Sequence, residues 1–426
     1  MYQPNNNRTL IRSTENDPAG CPVKPSIKVY LKHPLTAAII VIACHYNNHF
    51  TLHAIFIASA DTMKKTPKRN LPLLQKVDFR NFFHKSIFNF FTEEIAMDLG
   101  TANILILHRD QLVIESPSVI ALDARTGKTI AIGETAKLML GKNHHNMKII
   151  RPLKDGVIAD FEAAEKMIKG FVRAIPAFRR KLFPPAFRMV ICIPSGITEV
   201  EMRAVKESAE RINAKEIYLI HEPVAAAIGM GIDIMAPKGS MVVDIGGGTS
   251  DIAVISLGGI VCDKSIKIAG DILTADIIFH IRTCFNLYIG ERTAEMIKIL
   301  IGAAVSKLEK PPKSIKVQGR DLLSGKPREV RISYKEVAKA IDKSIQRIED
   351  AVMEALSNTP PELAADIYST GIYLAGGGAL IRGFDIRLSQ KTGLTVHIAE
   401  DPLRTVVRGT GMAMKDIQKY KHILIT

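Results

Sequence analysis

Two short stretches of the chain carry residue types suited to holding a phosphate chain. In Asp98-Leu99-Gly100-Thr101-Ala102-Asn103, a carboxylate closes an apolar run and a turn of small residues follows. Small residues let backbone N–H groups approach phosphate oxygens, and Asp98 is placed to hold a hydrated divalent ion beside them. One such turn is a weak signal. The arrangement recurs at Asp244-Ile245-Gly246-Gly247-Gly248-Thr249, and the repetition predicts duplicated lobes whose hairpins pinch a phosphate chain between them. A third small-residue cluster, Gly376-Gly377-Gly378-Ala379-Leu380, also follows an apolar run and fits a strand-to-loop turn under a nucleobase. Glu295 and Lys298, three apart in a helical segment, share one face. They form either a surface ion pair or a ribose-and-base clasp, and the company of the other turns favours the clasp.

The elements that must position these residues are those of an α/β protein. Residues 95–107 and 241–255 each read as strand, tight turn, strand. From residue 94 onward the pattern is that of a folded body, whereas residues 1–78 differ in composition and are expected to be a largely disordered or dispensable extension. Within it, 33–60 lacks Asp, Glu, Lys and Arg. The purely apolar core, Leu35 to Cys44, is short for a membrane span of about 20 residues, and Tyr46-Asn47-Asn48-His49 would place polar groups in the bilayer. His45, His49 and His53 recur every fourth residue and would share a face of a helix; a histidine-spotted, poorly folded extension is the more economical reading than a metal site. In 79–91, Phe79, Phe82, Phe83, Ile87 and Phe90 follow helical spacing. Such an amphipathic segment rests in a membrane interface, covers an apolar patch of the body, or packs on a neighbouring subunit.

Composition narrows the classes. At 426 residues the chain is long enough for two lobes, and 29 Gly with 21 Pro exclude a collagen-like or wholly disordered chain. The net charge is +14, but residues 1–90 hold twelve Lys/Arg against four Asp/Glu, so the body is only mildly basic. That balance permits contact with acidic lipid and gives no backbone-binding stripe, so nucleic acid is not expected as a partner. Five widely spaced cysteines point to a reducing cytosol rather than to a disulfide framework or a zinc knuckle.

The long stretches resemble the rod-shape MreB family of bacterial actin homologues, within the actin, Hsp70 and sugar-kinase ATPase superfamily. Besides the first hairpin, the likeness rests on Ile150 to Phe161, on Glu222-Pro223-Val224-Ala225-Ala226-Ala227-Ile228-Gly229, on Ser240 to Ser250 and on Thr359 to Ile367. It implies an α/β, actin-like ATPase fold, two lobes (92–238 and 239–418, with a tail at 419–426) with duplicated ribonuclease-H-like cores around a nucleotide cleft. It implies ATP and Mg2+ as cofactors, with phosphate held by Gly100, Thr101, Ala102, Asn103, Gly246, Gly247, Gly248 and Thr249. The ribose and base then fall to Glu295 and Lys298, the adenosine-side loop to Gly376, Gly377, Gly378, Ala379 and Leu380, and the metal, through water, to Asp98 and Asp244. In the family a Glu-Glu-Pro segment supplies the glutamate that orients the attacking water; that position is Glu222, preceded here by His221. Ser250 and Asp251 stand where Thr and Glu are usual.

The resemblance further implies slow ATP hydrolysis coupled to head-to-tail assembly into antiparallel double filaments. These lie peripherally on the inner face of the cytoplasmic membrane and work with membrane-bound shape and wall-synthesis proteins. The loop Arg179 to Pro185, with Leu182 and Phe183, resembles the family's lipid-inserting loop, and with 79–91 it makes a bipartite contact. The alternative is a monomeric small-molecule kinase of the same superfamily, for which the sequence offers no convincing acceptor site.

Overall fold

The computed structural model describes residues 27–29, 38–46, 49–57, 92–142, 144–178 and 186–426. They fall in two compact units, Met1–Phe79 and Arg80–Thr426. In the first, Ile27–Val29, Ala38–Tyr46 and His49–Ile57 form a three-stranded antiparallel sheet in sequence order. This corrects the helical placement of His45, His49 and His53: in register His45 pairs with Phe50, His49 with Tyr46 and His53 with Ile42. The β-branched run Ile39-Ile40-Val41-Ile42 suits a pleated strand better than a helix. It also places 27–29, expected to be disordered, in a strand. The amphipathic segment 79–91 and the loop 179–185 lie outside the described residues. No helix among the described residues is long and apolar enough to cross a membrane.

The second unit holds two sheets of the same plan. In one, Thr92–Leu99, Asn103–His108 and Gln111–Pro117 run antiparallel as a meander, and Ala186–Ile193 then Ala214–His221 add in parallel on the other side of Thr92–Leu99. In the other, Ser240–Ile245, Ser250–Ser256 and Gly259–Ile266 make the meander, and Ile372–Ala375 then Val396–Ile398 the parallel flank. The duplication expected from the two hairpins is thus a duplication of whole sheets. Burial follows the plan: every residue of Ser240–Ile245 and Ser250–Ser256 is buried, as a strand covered on both faces requires, while the edge strand Gly259–Ile266 has its exposed residues at alternate positions. Each lobe also carries a small three-stranded sheet, Ile120–Asp123 between Thr129–Ile132 and Met147–Ile150 in the first, and Leu287–Tyr288, Ile315–Asp321 and Pro327–Ile332 in the second.

Helices cover the sheets, and their starts are written locally. Asp160 caps Phe161–Ala174 by accepting from the Ala163 amide, and Thr198 with Glu201 closes a capping box on Glu199–Glu210; each cap contributes about 1 kcal/mol. Two helices belong to both lobes. Glu222–Gly229 and Thr405–Lys415 cross where each has a glycine: a Cβ on Gly409 would overlap the Ala225 carbonyl, and one on Gly229 the Thr405 carbonyl. Around that crossing a single core joins Ala96, Leu105 and Val190 of the first sheet to Val242, Ala253 and Ala375 of the second. The tail returns to the first lobe, where Leu219 and Ile425 exchange backbone hydrogen bonds of 2.8 and 2.9 Å.

Candidate active site

Each central strand ends in a hairpin. Leu99 pairs with Ile104 and Ile245 with Ser250, which leaves 100–103 and 246–249 at the turns. The turns face each other: a methyl on Gly247 would lie 2.5 Å from the Ala102 Cβ, and one on Gly248 2.6 Å from the Thr101 Oγ1. Only glycine permits that approach. The first turn is held by Ser118, whose hydroxyl donates to the Gly100 carbonyl at 2.6 Å, and by Thr101, whose Oγ1 accepts from the Gly156 amide at 2.9 Å. The second is closed by the Gly246 amide donating to the Thr249 carbonyl at 2.9 Å.

Beneath the turns lie four carboxylates. Asp244 and Asp251 are opposite each other in register, Asp98 ends the other central strand, and Glu222 opens its helix with Pro223 behind it. Burial, with the charges of Asp251 and Asp98, pushes Asp244 up to about 8. Burial raises Asp98 to about 6, against the opposing hydrogen bond of the Cys192 thiol, which donates to Asp98 Oδ1 at 3.2 Å. Glu222 is pushed well above the usual carboxylate range by burial and by Asp251, Asp244 and Asp98. The Cys192 thiol is itself held protonated by burial and by the Asp98 and Glu222 charges. Asp98, Cys192 and Glu222 turn ligand atoms into one space, all within 4.8 Å of one another. Asp244 Oδ1 and Asp251 Oδ2 are buried with no hydrogen-bond partner among the described residues. Carboxyl groups gathered in this way, with buried lone pairs to spare, are of the chemistry that a hydrated divalent cation could use.

The helix Gly270–Phe285 abuts the second turn, its Gly270 and Asp271 amides donating to the Gly246 and Gly247 carbonyls at 3.1 and 2.8 Å. From it Thr274 donates to Glu295 at 2.6 Å, and Lys298 reaches Glu295 at 2.7 Å, the Gly270 carbonyl at 2.8 Å and Thr274 at 3.1 Å. Burial works to raise Glu295, but the Lys298 charge and these hydrogen bonds prevail and hold it below the ordinary value. The pair is therefore linked through Gly270 to the second turn. Gly376, at φ +76°, packs its backbone against the Asp244 carboxylate and the Ile245 carbonyl, with Gly377–Leu380 forming the single helical turn beyond. Gly377 and Leu380 are exposed there, while Gly378 and Ala379 are buried.

The contacts above bring the two turns, Asp98, Asp244, Glu222, Glu295, Lys298 and Gly376 into one connected region. The sequence reading singled out Ser250, Asp251 and His221 without assigning their contacts, and it gave Cys192 no role. Ser250 donates to the Ile268 carbonyl at 2.6 Å, whereas Asp251 crosses to the first lobe and accepts from the Ser195 amide and hydroxyl at 2.9 and 3.0 Å. The placement of Asp251 was readable from the sequence, because a turn at 246–249 sets it opposite Asp244. Cys192 had no such signal, since it meets Asp98 only through parallel pairing of strands far apart in the chain. His221, in place of the usual glutamate, directs Nδ1 at the Pro194 carbonyl, 3.4 Å away.

Residues 92–422 match the family model described as MreB/Mbl protein. Over 330 residues the chain is 46% identical to the cell shape-determining protein Mbl of Bacillus subtilis (strain 168), covering 77% of this chain and 98% of that protein. The chain belongs to the MreB/Mbl family. It is 45% identical over 341 residues to the cell shape-determining protein MreB of Pasteurella multocida (strain Pm70), 79% of this chain and 97% of that one. The crystal structure of MreB5 of Spiroplasma citri bound to AMPPNP superposes with a TM-score of 0.72 at 40% identity, covering 78% of this chain and 98% of that one. The MreB/Mbl match begins at the first strand of the body, Thr92–Leu99, and takes in both sheets and both hairpins.

Proposed function

We propose that this chain binds ATP with Mg2+ between the two hairpins, hydrolyses it slowly, and assembles head to tail into antiparallel double filaments. These lie on the inner face of the cytoplasmic membrane and organise wall synthesis and cell shape. The observation that carries the reading is the carboxylate cluster beneath the facing turns, with its unpartnered Asp244 and Asp251 oxygens. The name of the Bacillus subtilis relative supports a role in cell shape, and the AMPPNP held by the Spiroplasma citri relative supports the nucleotide.

Phosphoryl transfer to water needs placement and charge compensation more than a covalent nucleophile. Amides of the turns 100–103 and 247–249 bind phosphate oxygens, with Gly246 closing the second turn beside them. Asp98 and Asp244 would hold Mg2+ through water, and the ion would supply compensation of the phosphate charge. Glu222 accepts a hydrogen bond from the attacking water and orients it. Glu295 with Lys298 takes the ribose and base, and Gly376 to Leu380 line the adenosine side. Glu222→Ala should retain a fluorescent ATP analogue while phosphate release falls about 100-fold; near-normal release would reassign the role.

The membrane contact rests on Phe79, Phe82, Phe83, Ile87 and Phe90 together with Leu182 and Phe183. One large apolar side chain contributes about 1.5 to 3 kcal/mol on burial, so binding is reversible for one copy and firm for a filament displaying many. Replacing Phe82, Phe83, Leu182 and Phe183 with Ser should abolish flotation on anionic vesicles and spare hydrolysis. A variant that floats like the parent would move the anchor elsewhere.

A further inference from the structure

Arg151 follows the first-lobe strand Met147–Ile150 and reaches the second lobe twice. Its Nη2 donates to Asp271 Oδ1 at 3.0 Å and its Nη1 to Glu291 Oε1 at 2.6 Å. Both acceptors stand in the first turn of a helix that serves the site. Asp271 is the residue whose amide holds the Gly247 carbonyl, and Glu291 opens the helix Glu291–Ile301 that carries Glu295 and Lys298. On the other side, the chain leaving Arg151 runs within five residues to Gly156, whose amide holds Thr101 in the first turn. One guanidinium therefore ties the segment supporting one phosphate turn to the two helices supporting the other turn and the clasp. We propose that Arg151 is a closure clamp, a positioning residue that holds the second-lobe helices against the first lobe over bound nucleotide and sets the rate at which nucleotide leaves. The proposal rests on the nucleotide reading of the cleft.

The physical character of the contact suits a clamp that opens. The side chains of Arg151, Asp271 and Glu291 are 28%, 35% and 45% exposed, so water reaches all three and screens both bridges. The two carboxylates gain from standing at helix N-termini whether or not the arginine is engaged, which makes Arg151 the partner that lets go. The planar fork lets one side chain serve two acceptors, which a lysine does less well. By contrast, the interlobe bonds from the Ser195 amide and hydroxyl are made to Asp251, a fully buried carboxylate.

The test is the dissociation of a fluorescent ATP analogue from the full chain with Mg2+, chased with excess ATP. Arg151→Ala should release it about 3- to 10-fold faster, and Arg151→Lys should fall between. The double variant Arg151→Ala/Glu291→Ala should be no faster than Arg151→Ala alone, and the exchange Arg151→Glu/Glu291→Arg should slow release toward the parent. Raising salt from about 50 to about 500 mM should speed release from the parent and leave Arg151→Ala unmoved. Release at the parent rate from Arg151→Ala, or effects of Arg151 and Glu291 that multiply independently, would overturn the clamp. Should Arg151→Ala not fold, Glu291→Ala decides alone, an unchanged rate overturning the proposal. A parent that never retains the analogue would instead overturn the nucleotide reading, and the clamp with it.

Discussion

Asp244 holds a proton in the folded chain that it would lose on unfolding. Its folded value of about 8, and that of Asp98 at about 6, both stand above the ordinary 3.8. Each contribution to stability is therefore complete below about pH 3.8 and is lost as pH rises through about 6 for Asp98 and about 8 for Asp244. The slope is at most about 1.4 kcal/mol per pH unit for each group. Asp244→Asn cannot ionise, so in urea titrations of the nucleotide-free protein its stability relative to the parent should grow by about 1 kcal/mol or more between pH 5 and pH 8. A difference that stays flat across that range would mean that Asp244 is not the seat of the charge cost. Residues of this kind were legible in the sequence because Asp98 and Asp244 each end an apolar run before a small-residue turn. Cys192 was not, because its partner is set by strand pairing between residues ninety-four apart in the chain.

At the scale of elements, local signals were read well and non-local ones poorly. The hairpins and the helix bearing Glu295 and Lys298 are specified within a few residues of themselves. The parallel flanks of both sheets are not, since Ala186–Ile193 and Ile372–Ala375 enter their sheets after long excursions. The extension shows the same limit from the other side. His45, His49 and His53 have helical spacing, but a strand is chosen by the partner it finds, and here Ala38–Tyr46 finds His49–Ile57. The glycine crossing of Glu222–Gly229 with Thr405–Lys415 was equally hidden, because Gly229 and Gly409 acquire their meaning only from each other.

For the whole molecule, the duplicated plan suggests two halves, but the packing makes one body. Ala96, Leu105 and Val190 share a core with Val242, Ala253 and Ala375 through the crossed helices, so either sheet taken alone would leave one face of that core in water. The lobes are therefore not separable, and the helix carrying Glu222 runs through the core that both share. The consequence is thermodynamic cooperativity. The body should melt in a single calorimetric transition whose van't Hoff and calorimetric enthalpies agree, and Mg2+ with ATP should move that transition upward as one peak. Two resolved transitions, with only one responding to nucleotide, would mean that the shared core does not couple the halves. An actin-like engine of this construction cannot lose one lobe to heat and keep the other, and that ties the survival of the whole fold to what its cleft holds.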